Sequence, residues 1–499
     1  MKPDLTLDVP SVEQLGRVHL VGIGGVGMAG IARILLERGV PVSGSDAADS
    51  PTVQGLRGLG ATVHIGHEAG HVADADTLVV TSAARDTNPE LVEARRRGLP
   101  VLHRSQALAA LLRGRRAVAV AGTHGKTTTT SMLTVALRRA GADPSFAIGG
   151  ELTEGGDSAH EGGGDVFVAE ADESDGSFLL YAPTVAVVTN VEADHLDHYG
   201  TEDAVTAAFD AFAERVVDGG VLVACADDPG SARLAAAVRE RRGPSAVRTY
   251  GVTPDADVRV VDLDATGPGV RFGLVGPGGA PEVALTLRVP GAHNALDAAA
   301  AWAAGTWLGY DGQLLAEGLA GYGGARRRFE TKGVAAGVRV LDDYAHHPSE
   351  VAAVLRAVRG VSGDGRVLAV FQPHLYSRTR IFAADFGRAL GLADEVVVLD
   401  VYGAREDPEP GVSGELVTRA VPLPPERVVF EPDRDAAVRW LARRAAPGDV
   451  VLTLGAGDVT RLGPQLLELL THTDQAGAEL TRTDRAPAAA AGLMGRRGG

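Results

Sequence analysis

The stretch RRAVAVAGTHGKTTTTSMLTVALRRAG, residues 115–141, decides the fold class. Its apolar run reads as a buried strand, the glycines as a turn, and the residues from Lys126 onward as a helix of about four turns. The turn is Gly122-Thr123-His124-Gly125-Lys126-Thr127-Thr128. Between a strand and a helix, such a turn aims backbone N–H groups and the positive helix end at a polyphosphate. Lys126 would reach the β/γ-phosphates, and Thr127 Oγ1 would hold Mg²⁺. The full Walker pattern needs glycine where this chain has Val120, so this is the shorter GTxGKTT loop. A glycine turn with an incidental lysine is the bland alternative. Strand, loop, lysine, hydroxyl and helix all argue against it.

Upstream, residues 17–23 read as a strand, 26–39 as a helix and 40–46 as a second strand, with another strand over 77–84. Gly22, Gly24, Gly25 and Gly27 form G-x-G-x-x-G-type spacing after the first strand, and Asp46 ends the second. That turn lets a pyrophosphate approach backbone amides. NAD, FAD, any nucleotide diphosphate, or a purely structural turn meets the description. This first parallel α/β unit ends near residue 107.

Downstream, 165–174, 184–191 and 219–228 read as buried strands. Two of them run into acidic clusters, Glu170 to Asp175 and Glu192 to Asp197, the second including His195. Such carboxylates repel one another unless a cation is present. Hard oxygens plus one imidazole suit Mg²⁺ or Mn²⁺, whereas solvated caps or salt-bridge partners are the plainer alternative. Alternation over 246–290 predicts antiparallel strands appended to the sheet, and 292–309 a helix of small residues. After the glycine-dense 318–330, strands and helices alternate again. From residue 473 the low-complexity sequence predicts a disordered tail.

Composition sets the outer bounds. The chain has 499 residues, room for three domains of ~150 residues each. Hydrophobic residues make up 45% and charged residues 22%, an ordinary globular balance. Cys225 is the single cysteine, which excludes an internal disulfide and any multi-cysteine metal site. It fits a reducing, cytoplasmic compartment. No run suits a membrane span, and MKPDLTLDVP lacks the form of a secretory leader. The net charge of −16 argues against broad nucleic-acid binding. Only Lys2, Lys126 and Lys332 are lysines among 48 basic residues; the remainder are arginines.

Further motifs are GAHN (291–294), GARRRFE (324–330), LDDYAHHP (341–348) and FQPHLYSRTR (371–380). Each alone passes for a charged loop. Taken with HLVGIGGVGM, GTHGKTTT, AEADESDGSF and TNVEADHLD, they resemble the Mur ligase family over about residues 17–470. The resemblance is narrower still to the branch that adds L-alanine to UDP-N-acetylmuramate.

The resemblance implies three α/β domains: a Rossmann-like UDP-sugar domain (1–107), a central P-loop ATPase domain (108–323), and a Rossmann-like ligase domain (324–472). It implies an ATP-dependent ligation through an acyl phosphate, with ATP and Mg²⁺ or Mn²⁺ as cofactors. The expected protein is a monomer or homodimer without nucleic-acid partners or membrane insertion. His19, the Gly22–Gly27 turn, Ser45, Asp46 and Ser82 would take the UDP-sugar. Lys126 would bridge carboxylate and γ-phosphate. Thr127, Glu170 and His195 would hold metal, and His293, Asn294, Arg326 and Asp343 would serve ATP. Tyr344, His346, His374 and Arg378 would form the L-alanine pocket, with His346 or His347 assisting amine deprotonation. Several family members support a metal with a carbamylated lysine, but no lysine lies between Lys126 and Lys332. Many relatives carry arginine at position 375, where this chain has Leu375. A tripeptide-recycling ligase is the near rival. An NAD-dependent oxidoreductase leaves GTHGKTTT unexplained, and a plain P-loop ATPase leaves the first glycine turn unexplained.

Overall fold

The computed structural model describes Leu5, residues 9–404 and residues 406–483, without the side chains of Asp197 or of residues beyond 472. Five short apolar strands form the first sheet: β1 (Val18–Val21), β2 (Val42–Asp46), β3 (Thr62–Ile65), β4 (Thr77–Val80) and β5 (Val101–His103). All pairings are parallel, in the order β3-β2-β1-β4-β5. The strand order reverses beside β1, and doubly wound sheets open their ligand crevice at the carboxyl ends there. The helix Val26–Glu37 follows the glycine turn. Met28, Ile31, Ala32, Ile34 and Leu35 give it a buried stripe at helical spacing.

The second sheet has ten strands: β6 (Arg116–Ala121), β7 (Ser145–Ala147), β8 (Ala159–His160), β9 (Val166–Glu170), β10 (Val185–Val188), β11 (Val221–Cys225), β12 (Val247–Gly251), β13 (Val258–Asp264), β14 (Val270–Val275) and β15 (Val283–Leu287). Their order is β15-β14-β13-β12-β11-β10-β6-β9-β7-β8. The expected antiparallel extension begins later than the alternation suggested. β12 still pairs in parallel with β11 and β13, and the extension's antiparallel pairs are β13–β14 and β14–β15; at the opposite edge β8 pairs antiparallel with β7. β12 is buried and carries the parallel crossover helix Pro229–Arg242 before it, which alternation alone does not register.

β6 lies between β9 and β10, with Val120 beside Glu170 and Ala121 beside Val188. Both acidic segments therefore leave strand ends that flank the phosphate loop. One apolar core runs under the two sheets, joining Leu20, Ile31 and Leu35 to Ala119, Phe167, Phe178 and Phe209.

The third sheet contains β16 (Glu330–Ala335), β17 (Val338–Asp343), β18 (Val367–Phe371), β19 (Glu395–Val398), β20 (Val428–Phe430) and β21 (Val450–Leu454), in the order β16-β17-β21-β18-β19-β20. Only β16 runs antiparallel to its neighbour. The described residues through Phe329, with 356–361, form one compact unit, and the remainder from Glu330 forms the other.

Two boundaries differ from expectation. Residues 324–329 pack on the first unit: Ala325 bridges Leu152, and Arg326 N–H donates to Glu151 O at 2.8 Å. The resemblance had put them at the start of the ligase domain, but backbone pairing ties them to this unit. The chain is helical over Leu462–Thr483, so residues 473–483 are not a coil. Leu462, Leu466 and Leu470 seat the first turns of this helix, and Ala, Glu and Leu continue it favourably. Residues 484–499 of the expected tail lie outside the described residues. No helix among the described residues is long and apolar enough to cross a membrane.

Candidate active site

The phosphate loop joins β6 to the helix Lys126–Arg139. Gly122 has φ +137, and a Cβ there would stand 1.9 Å from Thr189 Oγ1. Gly125 has φ +82, and its Cβ would meet Asp297 Oδ1 at 2.6 Å. Backbone conformation and close approach both demand glycine at these positions. We expect Gly122→Ala to leave the variant several degrees lower in Tm and without detectable nucleotide binding; wild-type melting and binding would contradict this close packing. The loop is laced to the segment after β10. Thr123 N–H donates to Asn190 O (3.1 Å), His124 N–H to Asn190 Oδ1 (2.7 Å), and Thr189 Oγ1 to His124 O (2.5 Å). Asn190 has no place in the expected ligand set, because its work is done on backbone atoms.

Lys126 Nζ donates to Gly122 O (2.6 Å), Thr123 O (3.1 Å) and Glu173 Oε1 (2.8 Å). Burial alone would pull its pKa down, but Glu173, Asp172 and Glu170 outweigh that and raise it, so the amine is an ammonium at neutral pH. Thr127 Oγ1 donates to Glu170 Oε1 at 3.1 Å, and Gly149 N–H to Glu170 Oε2 at 2.7 Å. His195 takes a left-handed conformation (φ +54), with Nε2 3.5 Å from both Glu173 Oε1 and Asp194 Oδ2. The candidate metal residues Thr127 and Glu170 thus touch, and Glu173 links His195 to Lys126. The buried Glu173 Oε2 lacks a hydrogen-bond partner among the described residues. The hard oxygens of Thr127 and Glu170 and one imidazole fit Mg²⁺.

Thr128 follows on the same helix, half-buried. Thr129 Oγ1 instead donates to Asp297 Oδ1 at 3.1 Å. Burial pushes the Asp297 carboxyl up to about 7. Asp297 lies on the helix Ala292–Trp307, one turn beyond His293 and Asn294. Asn294 Nδ2 donates to Pro290 O at 2.6 Å, fixing the start of that helix. The i, i+3 spacing of Asn294 and Asp297 was the available signal for Asp297. Arg326 pairs with Glu151 at 2.7 Å, and Arg328 Nη2 donates to Thr127 Oγ1 at 3.3 Å. The second arginine after Arg326 therefore reaches the loop directly.

The first glycine turn is closed by Asp46, whose Oδ2 accepts Gly24 N–H at 2.9 Å, and by Ser45 O, which accepts Gly22 N–H at 2.8 Å. The side chains of His19 and Ser45, both expected at the UDP-sugar, turn inward. Both are fully buried: His19 Nδ1 bonds Ser43 Oγ (2.9 Å), and Ser45 Oγ donates to Glu90 Oε2 (2.6 Å). A strand covered on both faces turns these side chains into the core, where they brace the turn. Glu90 also accepts from His67 and His71, at 3.1 and 2.8 Å. Ser82 is exposed, bonding His103 Nε2 (3.0 Å) and Asp175 Oδ2 (3.1 Å).

Arg104 was missed altogether, since it sits in no motif. Its Nη2 meets Asp172 Oδ2 at 2.5 Å, and its Nη1 would lie 3.3 Å from a Cβ on Gly27. It spans from the first glycine turn to the acidic segment after β9. Asp172 is held well below the usual carboxylate range: burial opposes this, and Arg104 overcomes it.

The second unit gathers the expected L-alanine residues at the carboxyl ends of β17 and β18. The Tyr344 and His346 rings are 5.4 Å apart, and those of His346 and His374 are 5.9 Å apart. His346 Nδ1 lies 3.3 Å from Glu350 Oε2 and 3.1 Å from Tyr344 O. Arg378 is buried in the helix Tyr376–Leu390. Leu375 is buried at φ +69 as the residue before that helix. Asp343 Oδ1 accepts Ala345 N–H at 2.8 Å, which shapes the turn after β17. Lys332 is structural, pairing with Glu330 at 2.7 Å near Asp342.

Three family models match in order along the chain: "Mur ligase family, catalytic domain" over residues 17–116, "Mur ligase middle domain" over 120–305, and "Mur ligase, glutamate ligase domain" over 327–457. A UDP-N-acetylmuramate–L-alanine ligase of Kineococcus radiotolerans is 63% identical, covering 93% of this chain and 98% of its own. One from Nocardioides is 59% identical, covering 92% and 97%. Among solved structures, UDP-N-acetylmuramate–alanine ligase MurC of Thermotoga maritima aligns with a TM-score of 0.75 at 28% identity, over 92% of this chain and 99% of that one. A murein peptide ligase of Psychrobacter arcticus aligns at 0.68 and 25% identity, over 91% and 99%. With domain-length matches in order and relatives this similar over almost their whole length, the chain belongs to the Mur ligase family, in its UDP-N-acetylmuramate–L-alanine ligase branch.

Proposed function

We propose that this enzyme joins L-alanine to the carboxylate of UDP-N-acetylmuramate with conversion of ATP to ADP and phosphate. The observation that carries this is the 63% identity to a UDP-N-acetylmuramate–L-alanine ligase across nearly the whole chain. The phosphate loop flanked by Glu170 and His195 supplies the chemistry.

A carboxylate resists attack because oxide is a poor leaving group. Phosphoryl transfer from ATP gives an acyl phosphate, and the neutral alanine amine attacks its carbonyl and expels phosphate. Lys126 lies between the meeting anions and offsets their charge, an electrostatic contribution that strengthens where water is excluded. Thr127, Glu170 and His195 would hold Mg²⁺, which supplies Lewis-acid polarisation of phosphoryl oxygens. The turn from Gly22 to Gly27 aims the N-terminus of the helix Val26–Glu37 at the UDP diphosphate, and Arg104 adds a guanidinium beside it. His293, Asn294, Arg326 and Asp343 serve ATP. Tyr344, His346, His374 and Arg378 receive L-alanine, with the Arg378 guanidinium matching its carboxylate. A cytoplasmic reaction is part of this reading, supported by nucleotide-linked substrates and a lone cysteine.

The test is phosphate release with UDP-N-acetylmuramate, ATP and Mg²⁺ while the amine is varied. L-alanine should drive release, and the tripeptide L-alanyl-γ-D-glutamyl-diaminopimelate should not. Equal release without any amine would refute ligation, and preference for the tripeptide would move the enzyme to the recycling branch.

A further inference from the structure

An ammonium has three N–H donors, and all three on Lys126 are in use within the protein, at Gly122 O, Thr123 O and Glu173 Oε1. A phosphate oxygen therefore gains a bond from Lys126 only when one of these is released. The two carbonyls belong to the loop and are held in place by Asn190 and Thr189. Glu173 comes from another segment, after β9, and is 2% exposed. Its Oε1 also lies 3.5 Å from His195 Nε2. Its Oε2 is buried and unsatisfied.

We propose that Glu173 is a positioning residue that parks Lys126 when no nucleotide is bound and gives it up to the ATP phosphates. The inference rests on the assignment of Lys126 to those phosphates. A largely enclosed ammonium without a counter-charge is costly, and Glu173 supplies that counter-charge. Glu173 also competes with the nucleotide for the same donor. Parking thus keeps Lys126 charged and aimed into the site, and it weakens nucleotide binding.

The experiment measures calorimetric affinity for the non-hydrolysable ATP analogue AMP-PNP with Mg²⁺, on the full chain. Glu173→Gln should bind at least about 5-fold tighter than wild type, because a charge-assisted competitor is gone. In a Lys126→Met background the same substitution should give a gain at least about three times smaller, the non-additivity expected of a contacting pair. Unchanged or weaker binding by a folded Glu173→Gln variant overturns the proposal. So does an equal gain in both backgrounds, which is simple relief of charge repulsion. If Glu173→Gln does not fold, Glu173→Asp, too short to reach Nζ, must show tightening; affinity equal to or below wild type overturns the proposal. Failure of the wild type to bind AMP-PNP overturns the phosphate-loop assignment itself.

Discussion

Replacing Lys126 by alanine should lower the L-alanine-dependent rate by about 10³-fold or more, since removing one positioned charge from a phosphoryl-transfer site forfeits several kcal/mol of transition-state stabilisation. The loss should fall mainly on kcat. Lys126 stands at the junction of loop and acidic segments, while the first glycine turn, proposed for the UDP-sugar, is built from other residues. Lys126→Arg should not rescue the rate. The Nζ position is enclosed by Gly122 O, Thr123 O and Glu173, and a planar guanidinium does not fit where a compact ammonium does. Steady-state phosphate release on purified variants decides this. Near wild-type turnover in Lys126→Ala would remove the residue from the catalytic machinery.

The second large effect belongs to Glu170. Its two carboxylate oxygens accept from Thr127 Oγ1 and from Gly149 N–H, and a Cβ on Gly149 would stand 2.6 Å from Oε1. Glu170→Gln keeps the shape and removes the charge. It should raise the Mg²⁺ concentration for half-maximal rate at least about tenfold and cut kcat by about 10²–10³-fold. The amide also turns an N–H toward Thr127 or toward the Gly149 donor, which misorients the hydroxyl. A Mg²⁺ titration of activity, with Tm followed in parallel, separates this from unfolding. An unchanged Mg²⁺ requirement would assign the metal elsewhere.

Much of the site was legible because its chemistry is local. Gly122, Gly125, Lys126 and Thr127 are adjacent in sequence, and a strand–turn–helix unit places them without help from the rest of the chain. The flanking of β6 by the two acidic segments was foreseeable in kind, because strand-end carboxylates in one parallel sheet share an edge. The partners of Arg104, Glu173 and Asp297 were not legible in the same way. Arg104 reaches Asp172 across 68 positions, and Thr129 meets Asp297 across 168. No spacing rule spans such separations. The burial of the His19 and Ser45 side chains was not legible either, because it follows from the first sheet's being covered on both faces.

By itself, then, the sequence determined the three α/β sheets, the phosphate loop and its lysine, and the exclusion of a carbamylated lysine from the central domain, since each depends on residues near one another or on residues absent. Tertiary structure alone decided which carboxylate holds Lys126, which arginine joins the first glycine turn to Asp172, and where residues 324–329 pack. The physical reason is that an ion pair in a buried site is made by strand order and register. Glu170 stands beside Val120 only because β9 pairs with β6, and Glu173 reaches Lys126 only because the chain turns back after that strand.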